Sequence, residues 1–358
     1  MHTTSSPRAP GRPGPLRARA VVVDAPGSYR LISGPRANPG PGEVRIAVSA
    51  AGISEGDRAV YEGALPPDRV RYPVLPGREW AGVIDAVGEG GDPGLVGRRA
   101  VAESPAACLH CERCGEGLPA LCENAGAGGT GPGATSAYGA RAGGFADAVV
   151  VPERLLHLLP DDADLRAAAL LEPAAVAAAA VLAAGPVPGA RTAVVGADTT
   201  GLLAVQLLAA YSPGELLVTD PRVRRAEPAL DLGASAVRAP GEARGAEYDV
   251  VVEAAGAPTS AAEACALVRG GGRLVLAGRP GPGARGLDPA SLVERQLTVS
   301  AVAGASPASW GYAVRAFTGG LLTPGALITH ELGLEEFGAA MALAASGDQG
   351  VGKVLLRP

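Results

Sequence analysis

The stretch from Arg191 to Asp220, RTAVVGADTTGLLAVQLLAAYSPGELLVTD, holds a strand, a turn, a helix and a second strand in direct succession. Thr192 to Val195 is a short apolar run rich in β-branched residues. From Thr200 onward, Leu202, Leu203, Val205, Leu207 and Leu208 follow helical spacing until Pro213-Gly214 stops the helix. Leu216 to Thr219 reads as the next strand, with Asp220 at its C-terminal end, about twenty residues beyond the glycine turn. A dinucleotide-binding βαβ unit keeps at that place the acid that hydrogen-bonds the adenosine ribose. Few folds other than an α/β domain with a parallel sheet accommodate such a unit.

The turn itself departs from G-x-G-x-x-G, since it reads Gly196-Ala197-Asp198-Thr199-Thr200-Gly201. The middle glycine normally lets backbone amides approach a pyrophosphate at the helix N-terminus, where unpaired N–H groups and the helix dipole favour an anion. Asp198 adds bulk there, and as a helix cap its carboxylate would occupy the amides of Thr200 or Gly201. A nucleotide-free α/β helix cap is the competing reading of this turn.

Strand-like runs recur near Thr192, Leu216, Ala236, Asp249, Arg273 and Leu297 with helical patterns in most of the gaps, which predicts a doubly wound parallel sheet. From Arg19 to Val101, in contrast, short alternating runs are broken by Gly and Pro, the pattern of a β-rich domain. A chain of 358 residues is long enough for both cores, and 47% hydrophobic with 19% charged residues is a globular balance. The net charge of -5 offers no basic field for nucleic acid, and no apolar run approaches the roughly 18 residues of a membrane span. Residues 1–19 carry several arginines without an apolar h-region, so they read as a disordered tail and not a signal peptide, and the protein is expected to be cytoplasmic. The chain has one lysine, Lys353, against abundant arginine, which reads as a coding bias without structural meaning.

Four of the five cysteines, Cys108, Cys111, Cys114 and Cys122, follow the spacing C-x2-C-x2-C-x7-C. Four thiolates satisfy a tetrahedral zinc with no coordination position left open, the mark of a structural site. Two disulfides would be the alternative, and they fit poorly with a chain lacking a secretion signal. Cys265, alone in a predicted helix, reads as a core residue.

Taken in order, Pro41-Gly42-Glu43-Val44, Tyr61-Glu62-Gly63, Glu79-Trp80-Ala81-Gly82-Val83, the cysteine lobe and Gly143-Gly144-Phe145-Ala146 match a known pattern. Leu171-Glu172-Pro173, Asp220 to Arg225, Leu232-Gly233-Ala234, Gly270 to Gly278 and Gly352-Lys353-Val354 continue it. The chain resembles the zinc-containing medium-chain dehydrogenase/reductases of the alcohol, polyol and threonine dehydrogenase kind, over essentially everything after the tail. The resemblance implies a GroES-like catalytic domain formed by 20–160 and 304–358, with a structural zinc lobe at about 105–125, and a Rossmann domain at 161–303. The chain would return to the catalytic domain through Trp310 and Tyr312. Gly196, Asp198, Thr199, Thr200, Gly201, Asp220, Arg225 and Gly278 would line the dinucleotide site, NAD(H) more than NADP(H). Substrate and nicotinamide would meet between the domains, in a homodimer or homotetramer.

The family's G-I-C-G-T-D segment supplies a cysteine ligand to catalytic zinc and a relay hydroxyl; here it reads Gly52-Ile53-Ser54-Glu55-Gly56-Asp57. Its G-H-E segment reads Gly77-Arg78-Glu79, and of the three ligand positions only Glu172 is kept. A hydroxyl is a poor zinc ligand, and a guanidinium, always protonated and without an acceptor, cannot be one. The catalytic zinc is therefore expected to be absent, with Arg78 and Glu172 lining the site as an ion pair, Asp57, Glu172 or Tyr61 able to supply or orient a proton, and Ser54 a further candidate of the site. The competing arrangement has Arg78 turned to solvent and Glu172 protonated or hydrated. Two functions remain: a zinc-independent NAD(P)(H) oxidoreductase acting on a small polar or biosynthetic metabolite, or a non-redox descendant performing cyclisation, elimination or no chemistry in the same cleft.

Overall fold

The computed structural model describes residues 17–66, 70–104, 108, 110–124, 143–243, 245–281 and 283–358. Most of the expected tail, 1–16, and parts of the cysteine lobe lie outside the described residues. The expected tail boundary at residue 19 is corrected, because Arg17–Arg19 already belong to a strand. Arg17–Ala25 (β1) pairs antiparallel with Ser28–Pro35 (β2), and the Arg19 amide and guanidinium both bond Asp147.

The first large sheet is mostly antiparallel. It contains Glu43–Gly52 (β3), Glu79–Val87 (β4), Arg99–Ala102 (β5), Ala148–Pro152 (β6) and Leu156–Leu158 (β7). The six-stranded second sheet follows with Arg191–Val195 (β8), Glu215–Thr219 (β9), Ala236–Arg238 (β10), Tyr248–Glu253 (β11), Val268–Leu276 (β12) and Thr298–Ala301 (β13). Ile328–Gly333 (β14) and Lys353–Arg357 (β15) then complete the first sheet, in the order β14-β15-β3-β4-β5-β7 with β6 also on β3. The C-terminal residues thus return to the N-terminal sheet.

The second sheet runs β10-β9-β8-β11-β12-β13 with every pairing parallel, so the strand order reverses beside β8 and opens a crevice at the carboxyl ends of β8 and β11. Its central strands read as continuous apolar runs without polar alternation because both faces are covered: Ala193, Val194, Leu216, Leu217, Val218, Val251 and Val252 are all buried.

Two helices join the domains. Leu171–Ala184 has almost no polar face, since alanine at most positions lets it pack closely on Thr199–Ala209 on one side and Pro307–Thr318 on the other. It stops at Gly185, whose left-handed φ of 54° closes the last turn, and Arg273 donates to the free carbonyls of Ala184 and Gly185. On Pro307–Thr318, Trp310 stacks against His157 of β7 at 5.6 Å, while Tyr312 meets Tyr211 hydroxyl to hydroxyl. No helix of the described residues is long and apolar enough to cross a membrane.

Candidate functional site

Where β3 ends, the chain turns at Ser54 into the helix Glu55–Glu62. Ser54 is its N-cap. The hydroxyl accepts the Asp57 amide at 3.1 Å and donates to the Asp57 carboxylate at 2.5 Å, and the same carboxylate takes the Ser54 amide at 3.0 Å. This is a reciprocal capping box, which satisfies helix-end donors that would otherwise be orphaned. The second oxygen of Asp57, a residue with no exposed surface, accepts the Gly77 amide at 3.0 Å. Gly77 holds φ 103°, and a Cβ there would come within 2.6 Å of the Phe145 amide, so the turn that delivers Arg78 requires glycine.

Beside this box lies a buried ion pair. In the sheet, Gly52 is opposite Glu79 on β4 and Leu355 on β15, which brings the β15 residue Lys353 across the bare backbone of Gly52 to Glu79. Lys353 Nζ is 2.5 Å from Glu79 Oε2, and the two side chains are only 5% and 3% exposed. A Cβ on Gly52 would lie 2.3 Å from that oxygen and 2.9 Å from Lys353 Cε, so the pair occupies the space a side chain would fill. Burial pushes the Glu79 carboxyl up to about 7 despite Lys353, with Glu172 and Asp57 adding repulsion. Glu172, in the first turn of Leu171–Ala184, is also raised by burial; Arg78 and then Lys353 oppose the shift, and Asp57 reinforces it.

Asp57, Arg78, Glu79, Glu172 and Lys353 therefore interact as one cluster of three carboxylates and two cations. Arg78 acts on Glu172 through space, and the expected bidentate Arg78–Glu172 pair is not formed among the described residues; the tight ion pair of the cluster is Glu79–Lys353. Tyr61 is not part of it. One turn farther along its helix, its hydroxyl donates to the Gly27 carbonyl and its ring meets Tyr29 and Phe337 edge-on, so it packs against the core of the first sheet. Glu79 and Lys353 were not among the site residues expected from sequence. The signals were available: Lys353 is the chain's one lysine, and Ser54-x-x-Asp57 has capping-box spacing.

The thiols of Cys108, Cys111, Cys114 and Cys122 lie within 4.8 Å of one another. Cys108 to Cys114 is 3.9 Å and Cys111 to Cys122 is 4.0 Å, near the roughly 3.8 Å that sulfurs take around a zinc with 2.3 Å bonds and far beyond a disulfide. The His110 amide, with help from Asn124, lowers the Cys108 thiol to about 5, which favours the thiolate a metal needs. Among the described residues no other group of three potential ligands converges in this way. At the Ser54 position the one side-chain oxygen is engaged in the capping box, and Arg78 offers donors alone, so the set does not fit a second zinc.

The glycine turn after β8 fits a dinucleotide. Gly196 has φ 104° with Ala255 only 2.8 Å from where a Cβ would be, and a Cβ on Gly201 would strike the Gly196 carbonyl at 1.9 Å. Helix Thr199–Ala209 thus sits as close to its strand as glycine allows. Thr199 and Thr200 form its first turn. Asp198 occupies the N-cap position without capping: its side chain bonds none of the helix amides and pairs instead with Arg222 at 3.2 Å and Arg225 at 2.6 Å. The expected obstruction of the Thr200 and Gly201 amides is thereby corrected, because two guanidinium groups compete successfully for the carboxylate. Asp220 is 2% exposed and accepts the amides of Ala197 at 2.9 Å and Arg222 at 2.8 Å. Burial alone would raise its carboxyl; the bonds from Arg222 and the Ala197 amide outweigh this and hold it below the ordinary range. Gly278, following β12, packs within contact of Gly256 and Glu253 at the same edge of the sheet.

Two family models match the chain, the alcohol dehydrogenase GroES-like domain over residues 40–161 and the zinc-binding dehydrogenase over 199–319. The starvation-sensing protein RspB of Escherichia coli K12 is 28% identical over 352 residues, covering 94% of this chain and 98% of its own length. An L-threonine 3-dehydrogenase of Pyrococcus abyssi is 31% identical over 348 residues, covering 93% of each chain. The crystal structure of the RspB alcohol dehydrogenase of E. coli CFT073 complexed with NADH superposes with a TM-score of 0.85 at 26% identity, over 96% of this chain and 99% of that one.

Proposed function

The chain belongs to the zinc-type medium-chain dehydrogenase/reductase family and is an NAD(P)-dependent oxidoreductase, and on that premise we propose that it transfers hydride without a catalytic metal. The favoured reaction is reduction of an activated C=C, C=N or C=O bond in a small polar or biosynthetic metabolite. NAD(H) is preferred to NADP(H), one structural zinc sits on the four cysteines, and the protein works as a homodimer or homotetramer.

The observation that carries this reading is the engagement of Ser54 in the capping box with Asp57, next to a cation at Arg78. A catalytic zinc polarises the substrate oxygen and makes a bound alcohol acidic enough to lose its proton. Arg78 performs the first of these tasks, since its N–H groups can stabilise charge developing on an oxygen. It cannot perform the second, because it never accepts a proton at useful pH. That asymmetry favours reduction of an acceptor already polarised over oxidation of a simple alcohol.

The dinucleotide, when bound, supplies the hydride. The glycine turn and the amides of the first turn of helix Thr199–Ala209 would hold its pyrophosphate, and Asp220 at the end of β9 would mark the ribose end of the site. On the substrate side, Glu172 keeps a proton to higher pH than an ordinary carboxyl and returns it to the anionic atom left by reduction. Glu79 and Lys353 stand behind it, fixing the charge balance of the floor.

The test is to titrate the purified protein with NADH by fluorescence, then follow NADH consumption against enones, iminium ions and polarised ketones with and without 1,10-phenanthroline. Binding and chelator-resistant consumption are expected. Protein that binds no NADH, or that consumes it only after zinc is added, would refute the proposal, the former in favour of non-redox cyclisation or elimination.

A further inference from the structure

Between the glycine turn and the end of β9 the chain builds a four-membered charge network that neither the fold nor hydride transfer requires. Asp198 Oδ1 accepts from Arg222 at 3.2 Å and from Arg225 at 2.6 Å, while Arg222 also bonds Asp220 through Nε at 3.1 Å. Asp220 is tied in turn to the Ala197 amide. From this geometry we propose that Asp198 determines cofactor specificity by holding Arg222 and Arg225 away from the 2′-phosphate of NADP(H). The inference rests on the dinucleotide reading above and deepens it.

The ribose of a bound dinucleotide faces the acid at the end of the second strand, and a 2′-phosphate there is received by an arginine just beyond it. In this chain the arginines in that place are Arg222, two residues past Asp220, and Arg225, one turn later. Both are engaged. The carboxylate of Asp198 supplies the negative charge that a phosphate would otherwise supply, so two carboxylates balance two guanidinium groups with no positive charge left over. An arriving phosphate dianion has to displace Asp198 from its partners or remain uncompensated beside Asp220. The free ribose hydroxyl of NAD(H) brings no such charge.

The arrangement also explains how an aspartate is tolerated where the turn has glycine in related βαβ units. Its side chain, 45% exposed, is drawn across to the arginines and leaves the helix amides open to the pyrophosphate. Arg224, exposed and without an ion pair among the described residues, stands outside this network.

Dissociation constants for NADH and NADPH are measured by fluorescence titration of the full-length, zinc-loaded protein, its Asp198→Asn and Asp198→Gly variants and the Asp198→Asn/Arg225→Ala double variant. The wild type is expected to prefer NADH. In Asp198→Asn the NADPH-to-NADH ratio of dissociation constants should fall about tenfold, the order expected when one like charge is removed from within ~5 Å of a dianion in a partly solvated site. Asp198→Gly should give the same fall, and Arg225→Ala in the Asn background should restore the ratio, which a merely structural role would not do. An unchanged ratio in both single variants that still bind NADH overturns the inference and leaves the dinucleotide reading intact, and a wild type that prefers NADPH overturns both the inference and the NAD(H) preference while dinucleotide binding stands. If none of the proteins binds either dinucleotide, both fail together.

Discussion

Replacing Lys353 by methionine removes the ammonium from a pair that is almost wholly buried while keeping most of the chain volume above Gly52. The consequence depends on pH, and its sign follows from Glu79. In the native protein burial raises that carboxyl from 4.5 to about 7. Its contribution to stability is therefore fully present below 4.5 and is lost as pH rises to about 7, above which folded and unfolded chains both carry the ionised group. Without Lys353 nothing offsets the burial, so Glu79 keeps its proton to still higher pH. Above pH 7 the folded variant holds a proton that its unfolded form has released, and it loses about 1.4 kcal/mol per pH unit relative to the native protein. Near pH 6 the two proteins should differ by little more than a packing change. By about pH 9 the difference should reach roughly 3 kcal/mol, close to the 3 to 5 kcal/mol range typical of breaking a buried pair. Urea unfolding at several pH values between these limits reads the slope. A penalty as large at pH 6 as at pH 9 would show that Glu79 is ionised in the fold and that the account of its burial is mistaken.

Gly52→Ala should destabilise the protein by about 1 to 3 kcal/mol in thermal unfolding, because the new methyl displaces Glu79 or Lys353 from a pair with no room to move. That cost should shrink in a Glu79→Gln/Lys353→Met background. Restoring the missing ligands with Ser54→Cys and Arg78→His should raise the metal content from one zinc per chain to two, measured by elemental analysis, since Glu172 already occupies the third position. In the native chain, Arg78→Ala should lower kcat by about 10²-fold with a much smaller change in KM, the pattern of a donor that acts mainly on charge formed in the transition state.

The second sheet was legible in the sequence because its strands are covered on both faces and read as apolar runs separated by turns. The cysteine cluster was legible because its four thiols lie close together in the sequence. The site was harder, for physical reasons that differ from residue to residue. Glu79 and Lys353 are far apart in the chain, and only the register that puts β4 and β15 on either side of Gly52 brings them together. Arg78 and Glu172 both align with ligands of one metal, whereas the ion pair formed within the cluster among the described residues is Glu79–Lys353. Ser54 and Asp57 align with functional positions of the family, although their spacing already describes a helix cap. Asp198 was judged against the glycine it replaces, whereas its position is decided by Arg222 and Arg225 across the turn. Tyr61 lies on the same helix as Asp57, but its ring follows the aromatic contacts with Tyr29 and Phe337.

The proposed hydride transfer uses no metal at the Ser54, Arg78 and Glu172 positions. It is tested most directly by metal analysis of protein purified without chelator and shown, in the same preparation, to oxidise NADH with an acceptor. One zinc per chain, held by the four cysteines, is expected in fully active protein. A reproducible ratio of two, with activity lost as the second ion is removed, would contradict it.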